Sequence, residues 1–257
     1  MKNAVAIVTG ASQGIGRATA IRLALDFSGV VLVARNGAKL EETANEVKAR
    51  GSEPMVLELD MSKTAAPDTV VTRTLGRLAA SMRFSTSQGA VPQIDVLEMT
   101  DQQWNDGMEL KLHGAPRLTV RAWDALKESG GAVVLMSGNS ALFPKSGYAA
   151  VGTINAAIVA LAKAFSDRGL TDGVQVNSVL PGPVMTGRRE SYLARWAPAH
   201  NVSVEKEARQ KFLSDVGIER YGRPEEIAHL MAFLVSPGAR WMTGSAIRMD
   251  GGEVKSI

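Results

Sequence analysis

TGASQGIG, residues 9–16, stands between the apolar run AVAIVT (4–9) and the start of a helical pattern. A glycine-rich turn joining a strand to a helix is how parallel α/β sheets hold phosphate. Gly10 permits the tight turn, and Gly14 and Gly16 let a phosphate and the sheet approach the backbone. The helix start, with Ser12, Gln13 and Ile15 in the loop, offers free N–H groups and a positive dipole end to a pyrophosphate. The spacing is G-x-x-x-G-x-G rather than G-x-G-x-x-G, and an ordinary strand–helix turn is the plain alternative.

Working outward, short β-branched runs alternate with longer helical patterns. Strands are predicted over 4–9, 30–34, 55–59, 132–137, 174–180 and 246–249, and helices over 14–27, 38–50, 65–78, 101–128, 148–168 and 224–235. That alternation predicts an α/β fold, a doubly wound parallel sheet in one domain spanning 1–257. Residues 187–222 break the rhythm with a polar, partly helical insertion after a strand end, where open sheets bind ligands; it reads as a substrate lid.

Composition narrows the function. There are no cysteines, which excludes disulfides and thiolate chemistry, and only three histidines, so no metal site is expected. The net charge of +3 comes from interspersed charges with no basic stripe, so nucleic acid is not an expected partner. No apolar run reads as a membrane span and the N-terminus lacks a signal-peptide pattern, so a cytoplasmic protein acting on a small molecule is expected.

Further pieces carry a resemblance: Asp60 after the third strand, VNSVLPGPVMT (176–186), GRPEEIA (222–228) and MDGG (249–252). With the glycine loop, they make the chain resemble the short-chain dehydrogenase/reductase family over nearly its whole length. The resemblance implies a Rossmann sheet of about seven strands, helices on both faces, and a bound nicotinamide dinucleotide. By motif match, Asp60 contacts the adenine, and Pro181, Gly182, Val184 and Thr186 line the nicotinamide. It also implies a homodimer or homotetramer through helices 101–128 and 148–168; the alanine-rich NAAIVALAKAF (155–165) suits close contact, and Pro116 kinks the first helix. The second strand ends VLVARN, with Arg35 where an NAD site usually has an acid. A guanidinium there attracts a 2′-phosphate, which favours NADP(H) over NAD(H). A solvated surface arginine is the other reading.

The family's four catalytic groups are an asparagine, a serine, a tyrosine and a lysine. Here Lys111 stands in the asparagine slot (LKLHG, 110–114), Gly138 in the serine slot behind Ser137, Val151 in the tyrosine slot and Asn155 in the lysine slot. Tyr148 is one turn earlier, and 148, 151 and 155 fall on one helical stripe. Six residues separate Tyr148 from Asn155, a spacing similar to that of the divergent enoyl-thioester reductases of the superfamily. Tyr148 is either the acid of a rebuilt centre or a packing tyrosine. The family's lysine holds the ribose and lowers the tyrosine pKa; Asn155 can do only the first. A cation about 4–5 Å away at an effective dielectric near 20 is worth about 3–4 kcal/mol, so its loss leaves the phenol near its reference value of about 10. Such a phenol donates a proton but is a poor base, which favours reduction. Lys111 can restore part of the charge, although a solvated or snorkelling lysine is the commoner case.

Two stretches remain. AASMRFSTSQGA (79–90) occupies the place of a central strand yet is polar and carries Arg83, unlike a buried parallel strand. Either the sheet is remodelled there or the letters are not natural. Read from each codon's third base, Leu78 to Gln88 allow Gly-Gly-Ile-Asp-Ala-Leu-Phe-Asn-x-Pro-Gly, which resembles the family's strand and turn; sequencing the gene separates the two. GRRESYLARWAPAH (187–200) sets Arg188, Arg189, Arg195 and His200 beside Tyr192 and Trp196. It reads as an amphipathic lid with solvated arginines or as a pocket for an acidic or phosphorylated substrate closed by aromatics.

Together these imply an NADP(H)-dependent oxidoreductase of a carbonyl or activated C=C, working mainly as a reductase. Tyr148 is its acid, Ser137 orients substrate, Asn155 contacts ribose and Lys111 supplies charge. The alternative is a cofactor-binding scaffold that has lost hydride transfer.

Overall fold

The computed structural model describes residues 4–77, 81–86, 91, 93–202 and 205–256. Its strands are β1 (Ala4–Thr9), β2 (Gly29–Ala34), β3 (Glu53–Glu58), β4 (Ser81–Thr86), β5 (Ala132–Met136), β6 (Gln175–Pro181) and β7 (Ala246–Met249). They form one parallel sheet in the order β3-β2-β1-β4-β5-β6-β7. The α-helices are α1 (Gly14–Leu23), α2 (Gly37–Ala49), α3 (Ala66–Arg77), α4 (Asp101–Gly107), α5 (Gly114–Arg121), α6 (Trp123–Ser129), α7 (Ala149–Asp172), α8 (Gly187–Ala199), α9 (Glu205–Val216) and α10 (Pro224–Leu234).

Alternation along β1 explains the two layers of helices. Successive side chains leave a strand on opposite faces. Val5 and Ile7 enter one core with Val70 of α3, Leu118 of α5, Leu126 of α6 and Ile154 and Ile158 of α7. Ala4, Ala6 and Val8 enter the other with Leu23 of α1, Leu40 and Val47 of α2 and Met231 of α10. The strand order reverses between β1 and β4, and the crevice at that switch point is where such sheets bind ligands.

Four expectations change. Residues 81–86, which do not read as a strand, pair in parallel with β1 on one side and β5 on the other. Without β4 the facing edges of β1 and β5 would lose their ladder partners, so pairing overrides local propensity. The rest of 79–90 lies outside the described residues.

The single helix expected over 101–128 is three α-helices, with a π-helical stretch, Met108–His113, between α4 and α5. Pro116 follows this stretch; its ring would strike the Leu112 carbonyl in a regular helix, and the widened turn relieves that clash.

Tyr148 does not ride on α7. It ends the short 3₁₀ turn Ser146–Tyr148 and caps α7 with φ −152°, so the stripe holds only for Val151 and Asn155. Finally, Ser146–Asp172 is long and apolar enough to cross a membrane by length and composition, contrary to the sequence reading. In the fold Ile154, Ile158 and Ala162 of this segment are buried against the sheet.

Candidate active site

A cavity of about 860 Å³ runs from the phosphate loop to α8 and α9. Its cofactor end is lined by Gly10, Ser12, Gln13, Gly14, Ile15, Arg35, Asp60, Pro181, Gly182, Val184 and Thr186. Gly10 and Gly14 have positive φ, as the turn requires. Gly16 does not line the cavity; a Cβ there would come within 2.2 Å of the Gly10 carbonyl oxygen, so its role is the close approach of helix and loop. Arg35 is exposed at the end of β2. Lys39, which sequence reading missed, joins it, its ammonium donating to Gln13 Oε1 at 3.3 Å. Spacing offers the signal: Lys39 falls in the first turn of α2, which Asn36 caps. Asp60 accepts from the Ser62 amide at 3.0 Å. Burial works to raise its carboxyl, but the Ser62 donors and Arg35 outweigh this and hold it low.

The catalytic end brings Lys111, Ser137, Tyr148 and Asn155 to the same cavity. Lys111 is not the solvated lysine that its type suggests: it is 7 % exposed. Its ammonium donates to Asn155 Oδ1 and, at 3.3 Å, to the Ser137 carbonyl. Burial, with the like charge of Arg188 behind it, pushes Lys111 down to about 7. The π stretch carries Lys111, so the widened turn and the buried cation coincide.

Asn155 is held at both ends. Its Oδ1 faces Lys111 and its Nδ2 donates to Ser140 Oγ at 2.8 Å, which leaves one amide hydrogen for a ligand. The Ser137 hydroxyl donates to the Asn155 carbonyl at 2.8 Å. Gly138 is explained by the same neighbour, since a Cβ there would lie 2.6 Å from Asn155 Nδ2. Ser140 was missed. It lines the cavity two residues beyond the family's serine slot, and the second serine of the stretch SGNS was the available signal.

Tyr148 lines the cavity half-buried. Burial, then Glu253 and Tyr192, push the phenol up to about 12, against the opposing pull of Arg189. Glu253 accepts from the Asn139 amide at 2.5 Å. It enters the cavity from the turn at Gly251 and Gly252, where Asp250 accepts the Gly252 and Val254 amides at 3.0 Å each. The MDGG motif marked this turn, but the acid beyond it was passed over.

The lid residues form an aromatic roof. Phe212 of α9 meets Tyr192 and Trp196 of α8 edge-on, at 5.9 and 5.7 Å, and stacks on Tyr221. Arg188 and Arg195 are exposed, but Arg189 turns inward and is half-buried.

Sheet, phosphate loop and cavity define an oxidoreductase scaffold built to hold a dinucleotide. The family described as enoyl-(acyl carrier protein) reductase matches residues 10–253. The chain belongs to the short-chain dehydrogenase/reductase family. It is 26% identical to the uncharacterized oxidoreductase YvaG of Bacillus subtilis, over 100% of this chain and 98% of the relative. Among solved structures, L-sorbose reductase from Gluconobacter frateurii, complexed with NADPH and L-sorbose, is 26% identical with a TM-score of 0.93, covering 100% of this chain and 98% of the other. An actinorhodin polyketide ketoreductase with NADPH is 28% identical with a TM-score of 0.92, covering 98% and 99%.

Proposed function

We propose that the protein is an NADP(H)-dependent reductase of a carbonyl or an activated C=C, with a rearranged catalytic centre. The carrying observation is a reciprocal exchange. The asparagine and lysine slots hold Lys111 and Asn155, and the two side chains touch inside the cavity that Tyr148 also lines.

The residues fit a phosphorylated dinucleotide. Positive φ at Gly10 and Gly14 opens the loop, and Arg35 and Lys39 set two cations where a 2′-phosphate is to be held. NADP(H), when bound, supplies the hydride. Tyr148, its proton held firmly by a pKa near 12, donates to the substrate oxygen as negative charge grows there. Ser140 offers the hydroxyl that Ser137 has committed to Asn155. An ammonium has three donors and Lys111 uses two, so the third takes over the ribose contact. The whole chain acts as one domain with residues 187–222 as its lid. Dimers or tetramers form through α4–α6 and α7, and the cytoplasm is the place of action.

The test is NADPH oxidation by purified protein across ketones, oxo acids and enoyl thioesters. Tyr148→Phe lowers kcat about 100-fold or more while NADPH affinity is kept. NADPH binding with no turnover on any substrate would establish the scaffold reading instead.

A further inference from the structure

Arg189 of α8 lies against two rings, its guanidinium carbon 5.1 Å from the centre of Tyr192 and 5.0 Å from that of Phe212. The side chain faces the cavity and is half-buried. Among the described residues, no acceptor lies within hydrogen-bond or ion-pair distance of it. A sequestered arginine presents five N–H donors and is ordinarily paired. Its neighbours have partners: Arg188 reaches the Val91 carbonyl, Arg209 pairs with Glu190, Lys211 with Asp215 and Arg220 with Glu226. Glu253 faces the same space but is held by Asn139 and lies beyond ion-pair reach of Arg189. The result is a cation set over two aromatic rings and lining the cavity that holds Tyr148.

We propose that Arg189 binds a carboxylate of the substrate, so that the protein reduces an oxo acid rather than a neutral carbonyl compound. The inference rests on the reductase reading above and narrows its substrate class. Geometry supports it: Arg189 lines the cavity with no acceptor of its own among the described residues, and a guanidinium fork matches a carboxylate edge with two parallel hydrogen bonds. Charge selects the monoanion. One guanidinium offsets one negative charge, and a phosphate dianion beside Glu253 would leave charge uncompensated. Lys145, near Glu253 and over the Phe143 ring at 5.7 Å, offsets that acid rather than a ligand.

The experiment compares acetoacetate, levulinate and 2-oxobutyrate, each with its methyl ester, and dihydroxyacetone phosphate as the phosphate arm. Two readouts are taken: kcat/KM for NADPH oxidation, and calorimetric titration of the NADP⁺-loaded protein. At least one acid exceeds its ester about 30-fold in kcat/KM. That ratio falls toward one in Arg189→Met, and Arg189→Lys, a point charge without the fork, keeps part of it. Because the ratio is taken within each variant, a general loss of fold does not imitate the effect. If no compound is turned over, the reductase reading fails on its own; heat from an acid and none from its ester still upholds the carboxylate site. Esters matching or exceeding all three acids, or no acid binding at all, overturns the proposal. So does dihydroxyacetone phosphate outcompeting the acids.

Discussion

At the phosphate-loop end of the cavity, Gly10 and Gly14 adopt the positive φ that the turn needs; at the Lys111–Tyr148 end, side chains from distant segments meet, and the proposed exchange sets Lys111 against Asn155. The difference follows from what each end must do. Phosphate is held by backbone N–H groups, which cannot be relocated without moving the chain, and by glycines that keep Cβ atoms away. A charge or a hydroxyl has only to reach a point in space, and long side chains reach one point from several backbone positions. Lys111, entering from the π stretch, brings an ammonium to Asn155.

If that contrast is right, the rigid end breaks hardest. Gly16→Ala forces a Cβ to within 2.2 Å of the Gly10 carbonyl oxygen, and backbone must shift. The expected outcome is NADPH affinity reduced about 100-fold or more, read by fluorescence titration, with a lower melting temperature from an overpacking cost of about 1–3 kcal/mol. An affinity equal to that of the parent protein would mean that the loop is as plastic as the other end.

The catalytic end is expected to tolerate exchange. Lys111→Asn alone removes the cation and lowers kcat about 30-fold, and Asn155→Lys alone places two ammonium groups together and costs a similar amount. Restoring the family arrangement in the double variant recovers most of the loss, a coupling of about 3 kcal/mol in a double-mutant cycle. Additive losses would show that the exchange is incidental.

The remaining expected effect is on stability against pH. Lys111 in the unfolded chain keeps its proton up to about 10.5, whereas in the fold it gives it up at about 7. Between those values the unfolded state binds more protons, so stability rises with pH across that window; below about 7 the charge is carried in both states and the full burial cost remains. The melting temperature of the parent protein should therefore gain about 10 °C over Lys111→Met between pH 7 and 10. Parallel curves would mean that Lys111 is not buried as a cation.

Some of the molecule could be read from its letters. The alternation of β-branched runs and helical patterns located every strand but β4; β1, β2, β5 and β6 are buried on both faces and read as apolar runs, while the edge strands β3 and β7 kept enough apolar residues to be found. The loop at Thr9–Gly16 was legible because its glycines answer local backbone demands. Helix 101–128 was misread, since periodicity does not reveal the π turn ahead of Pro116. Ser140 and Glu253 were also missed, and the letters left Arg189 open between a solvated face and a pocket. Each depends on a partner distant in sequence: Asn155 for Ser140, Asn139 for Glu253, and Phe212 for Arg189.

The sequence by itself determined the α/β class and the phosphate loop, because these follow from short-range spacing and residue type. Only the tertiary structure decided that β4 pairs, that Lys111 is buried against Asn155 and that Arg189 faces the cavity. Those outcomes depend on which groups meet across the fold and on how much water is left around them, and neither quantity is carried by any local stretch of chain.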